Sequence, residues 1–215
     1  MKEAYASAQT DVFILNTLEV THPTASSENT RLDVCFILDT SGSMGGEITL
    51  IKESLEALLA NLLLEFEVVR FSLISFGQTA NSGQPIFQTD LTTDPQVLID
   101  ILDTLVASGS TEPVFDAIAM AVNSMTWNRD FSVTRAIFII TDETGESGNT
   151  ATQEEAQALL DSRNYILHQT YTPTGSSALV EMMTATEGEY VDHDQATPDF
   201  VEDATEALKL RRVID

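Results

Sequence analysis

An apolar segment of the chain ends abruptly in one carboxylate and two hydroxyl side chains. Residues 34–38 are continuously apolar, and Asp39, Ser41 and Ser43 follow at alternate positions. Side chains at alternate positions of an extended or turning loop point to one side of the chain, so these three can converge. Oxygen ligands that include one carboxylate suit a hard divalent cation such as Mg²⁺. The sequence therefore predicts a cation site in this loop.

The elements that position this loop follow from the apolar pattern. Residues 34–38 and 136–140 are runs of bulky or β-branched side chains, which predict two buried central strands. Further strands are predicted over 68–76, 85–88, 165–170 and 189–191, and an added strand over 11–20. Helices are predicted over 47–65 and 176–185, from 95, 113 and 197, and from a Thr150/Gln153 capping box to 163.

Alternating strands and helices predict an α/β fold. Its core is a doubly wound, mainly parallel central sheet flanked by helices on both faces. Ligands of such sheets bind beyond the carboxyl ends of the strands. Asp39 and Asp142 each follow a predicted central strand, so both are expected at that edge of the sheet.

The segment Asp39-Thr-Ser-Gly-Ser43 resembles the metal-ion-dependent adhesion site of von Willebrand factor A (VWA) domains. In that family a Gly-rich loop before a helix and an aspartate after a later central strand complete the site. Gly109-Ser-Thr111 precedes the helix predicted from residue 113, and Asp142 follows Ile-Ile-Thr, in the family's order. The resemblance covers about residues 31–210 and implies the Rossmann-like VWA fold.

The resemblance also implies the metal ligands. The expected set is Asp39, Ser41, Ser43, Thr111 and Asp142. The serines and the threonine are expected to contact the metal directly, and the aspartates to act through water or hydrogen bonds. Glu112 is the alternative to Thr111, because Thr-Glu-Pro-Val-Phe-Asp resembles the integrin β-subunit loop in which a glutamate is the ligand. Mg²⁺ is the expected metal, with Mn²⁺ or Ca²⁺ as alternatives.

Length and composition favour one ordinary domain. The chain has 215 residues and 43% hydrophobic content. We expect an N-terminal extension over 1–30, comprising an added strand and a linker, a VWA domain over 31–210 and a tail over 211–215. Cys35 is the only cysteine, so a buried thiol and no internal disulfide are expected.

The net charge of the chain argues against two classes of binding partner, nucleic acids and anionic membranes. Acidic residues outnumber basic ones 34 to 10, and the net charge is −24. Such a surface repels phosphate backbones and anionic membranes, so nucleic-acid binding is not expected. No apolar run is long enough to cross a membrane, so direct membrane insertion is not expected either.

These features predict a binding module and not an enzyme. The metal is expected to recruit an Asp or Glu carboxylate from a partner protein, as in cell adhesion. The expected setting is a larger secreted or cell-surface protein, and the alternative is a cytoplasmic scaffold or assembly subunit. A Mg²⁺-dependent phosphohydrolase is disfavoured, because no Asp-x-Asp pair follows the first strand and no Gly-Lys-Ser/Thr phosphate loop is present.

Overall fold

The computed structural model describes residues 31–144, 148–170, 177–192 and 197–210. Five strands form one sheet in the order β3-β2-β1-β4-β5. They are β1 (Arg31–Asp39), β2 (Val68–Phe76), β3 (Ile86–Thr92), β4 (Thr134–Ile140) and β5 (Ile166–Thr170). All neighbours pair in parallel except β3, which is antiparallel to β2 at the sheet edge. The predicted mainly parallel sheet is confirmed, and the strand predicted over 11–20 lies outside the described residues.

Six α-helices accompany the sheet within the described ranges. They are α1 (Ile48–Glu65), α2 (Pro95–Thr104), α3 (Val114–Ser124), α4 (Gln153–Asp161), α5 (Ala178–Ala185) and α6 (Thr197–Lys209). Two short 3₁₀ turns, Ser43–Gly46 and Thr79–Asn81, follow β1 and β2. None of the helices described is long and apolar enough to span a bilayer.

The strand β1 is buried on both faces, as a central parallel strand must be. Leu32, Val34 and Phe36 belong to an apolar cluster with residues of α1, α2 and α6. Cys35 and Ile37 point the other way and pack with residues of α3, α4 and α5. This alternation places helices on both faces of the sheet. Burial also raises the pKa of the Cys35 thiol to about 12, so the thiol is un-ionised and inert, as expected.

Strand register brings the ends of three strands together. Leu38 of β1 pairs with Ser75 of β2 on one side and with Ile140 of β4 on the other. The loops that leave these strands therefore start side by side at one edge of the sheet. This shared edge positions every residue of the predicted site that follows a strand.

Two local predictions were wrong in detail. The capping box of α4 is formed by Thr152 and Glu155, not by Thr150 and Gln153. The Thr152 hydroxyl accepts the Glu155 N–H at 3.2 Å, and the Glu155 carboxylate accepts the Thr152 N–H at 2.9 Å. Both pairs have the three-residue spacing of a capping box, so the sequence does not show which pair forms it. The strand predicted over 189–191 is only an isolated bridge from Tyr190 to β5.

A histidine is enclosed on β5. His168 is fully buried, and its ring stacks on Phe138 with centroids 6.1 Å apart. Its Nδ1 accepts the Glu189 N–H at 3.2 Å, and its Nε2 has no hydrogen-bond partner among the described residues. Burial lowers the pKa of His168 from 6.5 to about 3, because the charged ring would lose its hydration. The side chain is therefore neutral in the folded protein.

This histidine makes folding stability depend on pH. Its folded-state pKa lies below the unfolded value, so its full contribution exists above pH 6.5 and is lost as the pH falls towards 3. Urea unfolding at about pH 5 should show a loss of about 2 kcal/mol relative to about pH 7.5 from this residue alone. His168→Gln should lack this part of the pH dependence. Identical pH dependence in the two proteins would contradict the assignment.

Candidate metal centre

The carboxylate of Asp39 joins two of the loops at the sheet edge. Asp39 is fully buried at the end of β1. Its Oδ1 accepts the backbone N–H of Ser41 at 2.7 Å, and its Oδ2 accepts the hydroxyl of Thr141 at 2.6 Å. Burial raises the pKa of Asp39 to about 6, although the hydrogen bonds from Thr141 and Ser41 oppose that rise. Both oxygens are thus held by the loops after β1 and β4.

The predicted serine ligands lie together beside the third loop. The hydroxyls of Ser41 and Ser43 are 2.8 Å apart, and Ser43 donates to Oδ1 of Asp142 at 3.2 Å. Ser43 begins the 3₁₀ turn after β1, which aims its hydroxyl across to the end of β4. Four predicted site residues therefore form one connected set: Asp39, Ser41, Ser43 and Asp142.

Backbone contacts hold the second loop against the first. Gly42 N–H donates to the Gly109 carbonyl at 2.9 Å, and Ser108 N–H donates to the Thr40 carbonyl at 2.8 Å. Gly109 has a φ of +97°, and a Cβ there would lie 2.2 Å from the Gly77 carbonyl oxygen. Only glycine fits this position. The loop that carries Thr111 and Glu112 is therefore fixed beside the serines by main-chain geometry.

The second-loop candidates occupy different surroundings. Glu112 is only 7% exposed. Burial raises its pKa, and the charges of Glu143, Asp39 and Asp142 raise it further, so its carboxyl group is electrostatically coupled to the site. Thr111 lines a shallow pocket of about 310 Å³. No hydrogen bond among the described residues joins Thr111 to the serines or to Asp142.

Negative charge is concentrated at the site. Burial and the neighbouring Asp142 raise the pKa of Glu143. None of Asp39, Glu112, Asp142 and Glu143 forms an ion pair with Lys, Arg or His in the described part of the chain. A bound cation would relieve this repulsion.

The candidate metal ligands combine serine hydroxyls with carboxylates and are not a cluster of acidic residues alone. No group of three or more His, Cys, Asp or Glu in the described ranges is placed to hold a metal by itself. Serine hydroxyls together with carboxylates give hard oxygen donors of low total charge. These donors suit Mg²⁺ or a similar hard cation. Zinc sites in proteins more often use the nitrogen and sulfur atoms of His and Cys.

Two threonines that were not predicted from the sequence, Thr40 and Thr141, support the site. Thr141 holds Asp39 through its hydroxyl, as described above. Thr40 uses both its N–H and its hydroxyl to bind the Phe76 carbonyl, at 2.8 and 2.6 Å, and so ties the first loop to the end of β2. The sequence feature that could have identified them is a threonine directly beside each strand-end aspartate: Thr40 follows Asp39, and Thr141 precedes Asp142.

Comparison with known protein families identifies the family of this chain. The model of the von Willebrand factor type A domain matches residues 33–203, and the chain belongs to this family. No curated protein matches the chain in sequence.

Three solved structures illustrate the shared fold. The SpRpn10 VWA domain is 15% identical, with a TM-score of 0.61 over 80% of this chain and 94% of that one. An aerotolerance-related membrane protein from Bacteroides fragilis, with multiple mutations to serine, is 20% identical with a TM-score of 0.60 over 83% and 100%. Proximal thread matrix protein 1 from the mussel byssus, with a zinc-occupied MIDAS motif, is 13% identical with a TM-score of 0.62 over 84% and 47%.

Removal of one hydroxyl tests how Asp39 is held. Thr141→Val should lower the free energy of unfolding by about 1–3 kcal/mol, because it leaves a buried carboxylate oxygen without that donor. Thr170→Val is the matched control, since the buried Thr170 hydroxyl at the end of β5 has no partner among the described residues. Urea unfolding with EDTA present measures both. Equal losses in the two variants would contradict a special role for Thr141.

Proposed function

We propose that this chain is a metal-dependent protein-binding module whose metal recruits a carboxylate from a partner protein. Asp39, Ser41, Ser43 and Asp142 would hold the cation together with one residue of the second loop. Mg²⁺ is the proposed metal, with Mn²⁺ and Ca²⁺ as alternatives. The observation that carries the proposal is the contact between the Ser41 and Ser43 hydroxyls, together with the hydrogen bond from Ser43 to Asp142. It lies beside the buried Asp39 carboxylate.

The chemistry of these donors supports recruitment of an outside carboxylate. Hydroxyl ligands are neutral, and Asp39 already uses both oxygens in hydrogen bonds to the protein. A Mg²⁺ ion held in this way would keep most of its positive charge available, and one of its water positions could be taken by a further hard oxygen ligand. An Asp or Glu side chain of a partner would supply such a ligand.

We propose Thr111 as the second-loop ligand and keep Glu112 as the alternative. Thr111 follows Gly109-Ser in the position that the family motif gives to the ligand. The electrostatic coupling of Glu112 to Asp39 and Asp142 supports the alternative. A glutamate ligand would add one negative charge and favour Ca²⁺ or Mn²⁺.

The proposed setting is a larger secreted or cell-surface protein that uses the domain for adhesion. The strongly acidic composition of the chain suits an extracellular environment that is rich in divalent cations. An intracellular scaffold or assembly subunit is the alternative setting. We propose a binding role and not a catalytic one, because the described histidine, His168, is buried within β5 and not at the candidate site.

Calorimetric titration of the purified chain with Mg²⁺, Mn²⁺ and Ca²⁺ tests the metal site. The unmodified protein should bind at least one of these ions, and Ser43→Ala should weaken that binding by at least about tenfold. Thr111→Val and Glu112→Gln decide between the two second-loop candidates. Ser110→Ala removes an exposed hydroxyl of the same loop and should change nothing. The metal site is refuted if no ion binds, or if Ser110→Ala loses as much as Ser43→Ala.

Peptide display tests carboxylate recruitment separately. Peptides selected on the chain in Mg²⁺ should share an Asp or Glu, and EDTA should release them. Replacing that acid by Asn or Gln should abolish capture. Peptides that stay bound in EDTA, or that lack acidic residues altogether, would contradict recruitment while leaving the metal site itself intact.

A further inference from the structure

A second pocket lies at the opposite end of the sheet. It encloses about 250 Å³ between the segment before β4 and the segment before β5. The candidate metal centre follows β1 and β4 at their carboxyl ends, whereas this pocket precedes β4 and β5. Since β4 has seven residues, the two sites are separated by on the order of 20 Å.

Positive charge is concentrated in this pocket although the chain is strongly acidic. Arg129, Arg135 and Arg163 all line it, out of 10 basic residues in the whole chain. None of the three lies within ion-pairing distance of a carboxylate in the described part of the chain. By contrast, Arg31 and Arg70 near the same end are paired, with Asp130 and Asp33.

Arg135, the second residue of β4, provides the strongest argument for an anion site. Arg135 is only 7% exposed, yet its guanidinium donates one hydrogen bond, from Nη1 to the Asn128 carbonyl at 3.1 Å. Its Nε is enclosed and has no partner among the described residues. The rings of Phe131 and Tyr165 lie 5.9 Å from the guanidinium carbon. Cation–π contacts offset part of the cost of burying this charge, but they supply no counter-ion.

We propose that this pocket binds a phosphate group, either free phosphate or a monoester carried by a larger molecule. A phosphate monoester has a charge of about −1.5 to −2 and three strong acceptor oxygens, which suits three guanidinium groups. A carboxylate brings only one charge and two oxygens. The pocket, at about 250 Å³, is smaller than the roughly 300–1,000 Å³ of typical small-molecule sites and has room for one phosphate group.

The surroundings favour a single anion over a polyanion. The net charge of −24 repels extended phosphate backbones, and the arginines act only over short range. Asp130 lies next to Arg129 in the chain but is engaged by Arg31 at 3.7 Å. The exposed ring of Phe131, with 78% of its surface open, offers an apolar contact to whatever carries the phosphate.

Calorimetry of the full chain in EDTA tests the pocket independently of the metal centre. The probes are inorganic phosphate, phenyl phosphate and acetate. Inorganic phosphate should bind saturably, and acetate at least about tenfold more weakly. Tighter binding of phenyl phosphate would assign the group to a monoester whose carrier contacts Phe131, and equal binding would assign it to free phosphate.

Two double variants test whether phosphate binds in the arginine pocket. Arg129→Ser/Arg163→Ser changes two exposed residues and should weaken phosphate binding at least about tenfold without unfolding the protein. Lys52→Ser/Lys209→Ser removes the same charge elsewhere and should have no effect. Absence of saturable phosphate binding, acetate binding as tight as phosphate, or equal weakening by both double variants would overturn the proposal.

Discussion

The buried carboxylate of Asp39 is the constraint on which the site depends. A carboxylate that has lost its water must have its oxygens satisfied by the protein. Here the Ser41 N–H and the Thr141 hydroxyl do so, at 2.7 and 2.6 Å. These bonds fix the path of the first loop relative to the end of β4. The positions of both serine hydroxyls and of Asp142 follow from that path.

Charge is divided between the two ends of the sheet. At the carboxyl ends, Glu112 and Glu143 lie near two aspartates and their pKa values rise, through burial and mutual repulsion. At the amino ends, three arginines share one pocket without a carboxylate partner in the described residues. Each end therefore presents a charge that a ligand of opposite sign would neutralise. The VWA fold supports such a division because parallel strands place their two kinds of end on opposite edges of the sheet.

The sequence predicts the sheet and much of the site because the central strands are unambiguous. Residues 34–38 and 136–140 are apolar throughout, so the edge that holds Asp39 and Asp142 follows from parallel pairing. The role of Thr141 was not predictable, since a hydroxyl beside a strand-end acid has several local partners. The choice between Thr111 and Glu112 depends on the path of one loop, which spacing does not define. The arginine pocket combines segments more than 25 residues apart and has no sequence motif.

In the proposed metal centre, oxygen atoms from the loops at the carboxyl edge of the sheet hold one divalent cation. The most direct measurement is anomalous diffraction at the manganese edge from crystals grown with Mn²⁺. One strong peak should appear within bonding distance of the hydroxyl oxygens of Ser41 and Ser43, beside the carboxylate of Asp142. Crystals equilibrated with saturating Mn²⁺ that show no peak there, or that show their strongest peak at another acidic cluster, would contradict the proposed site.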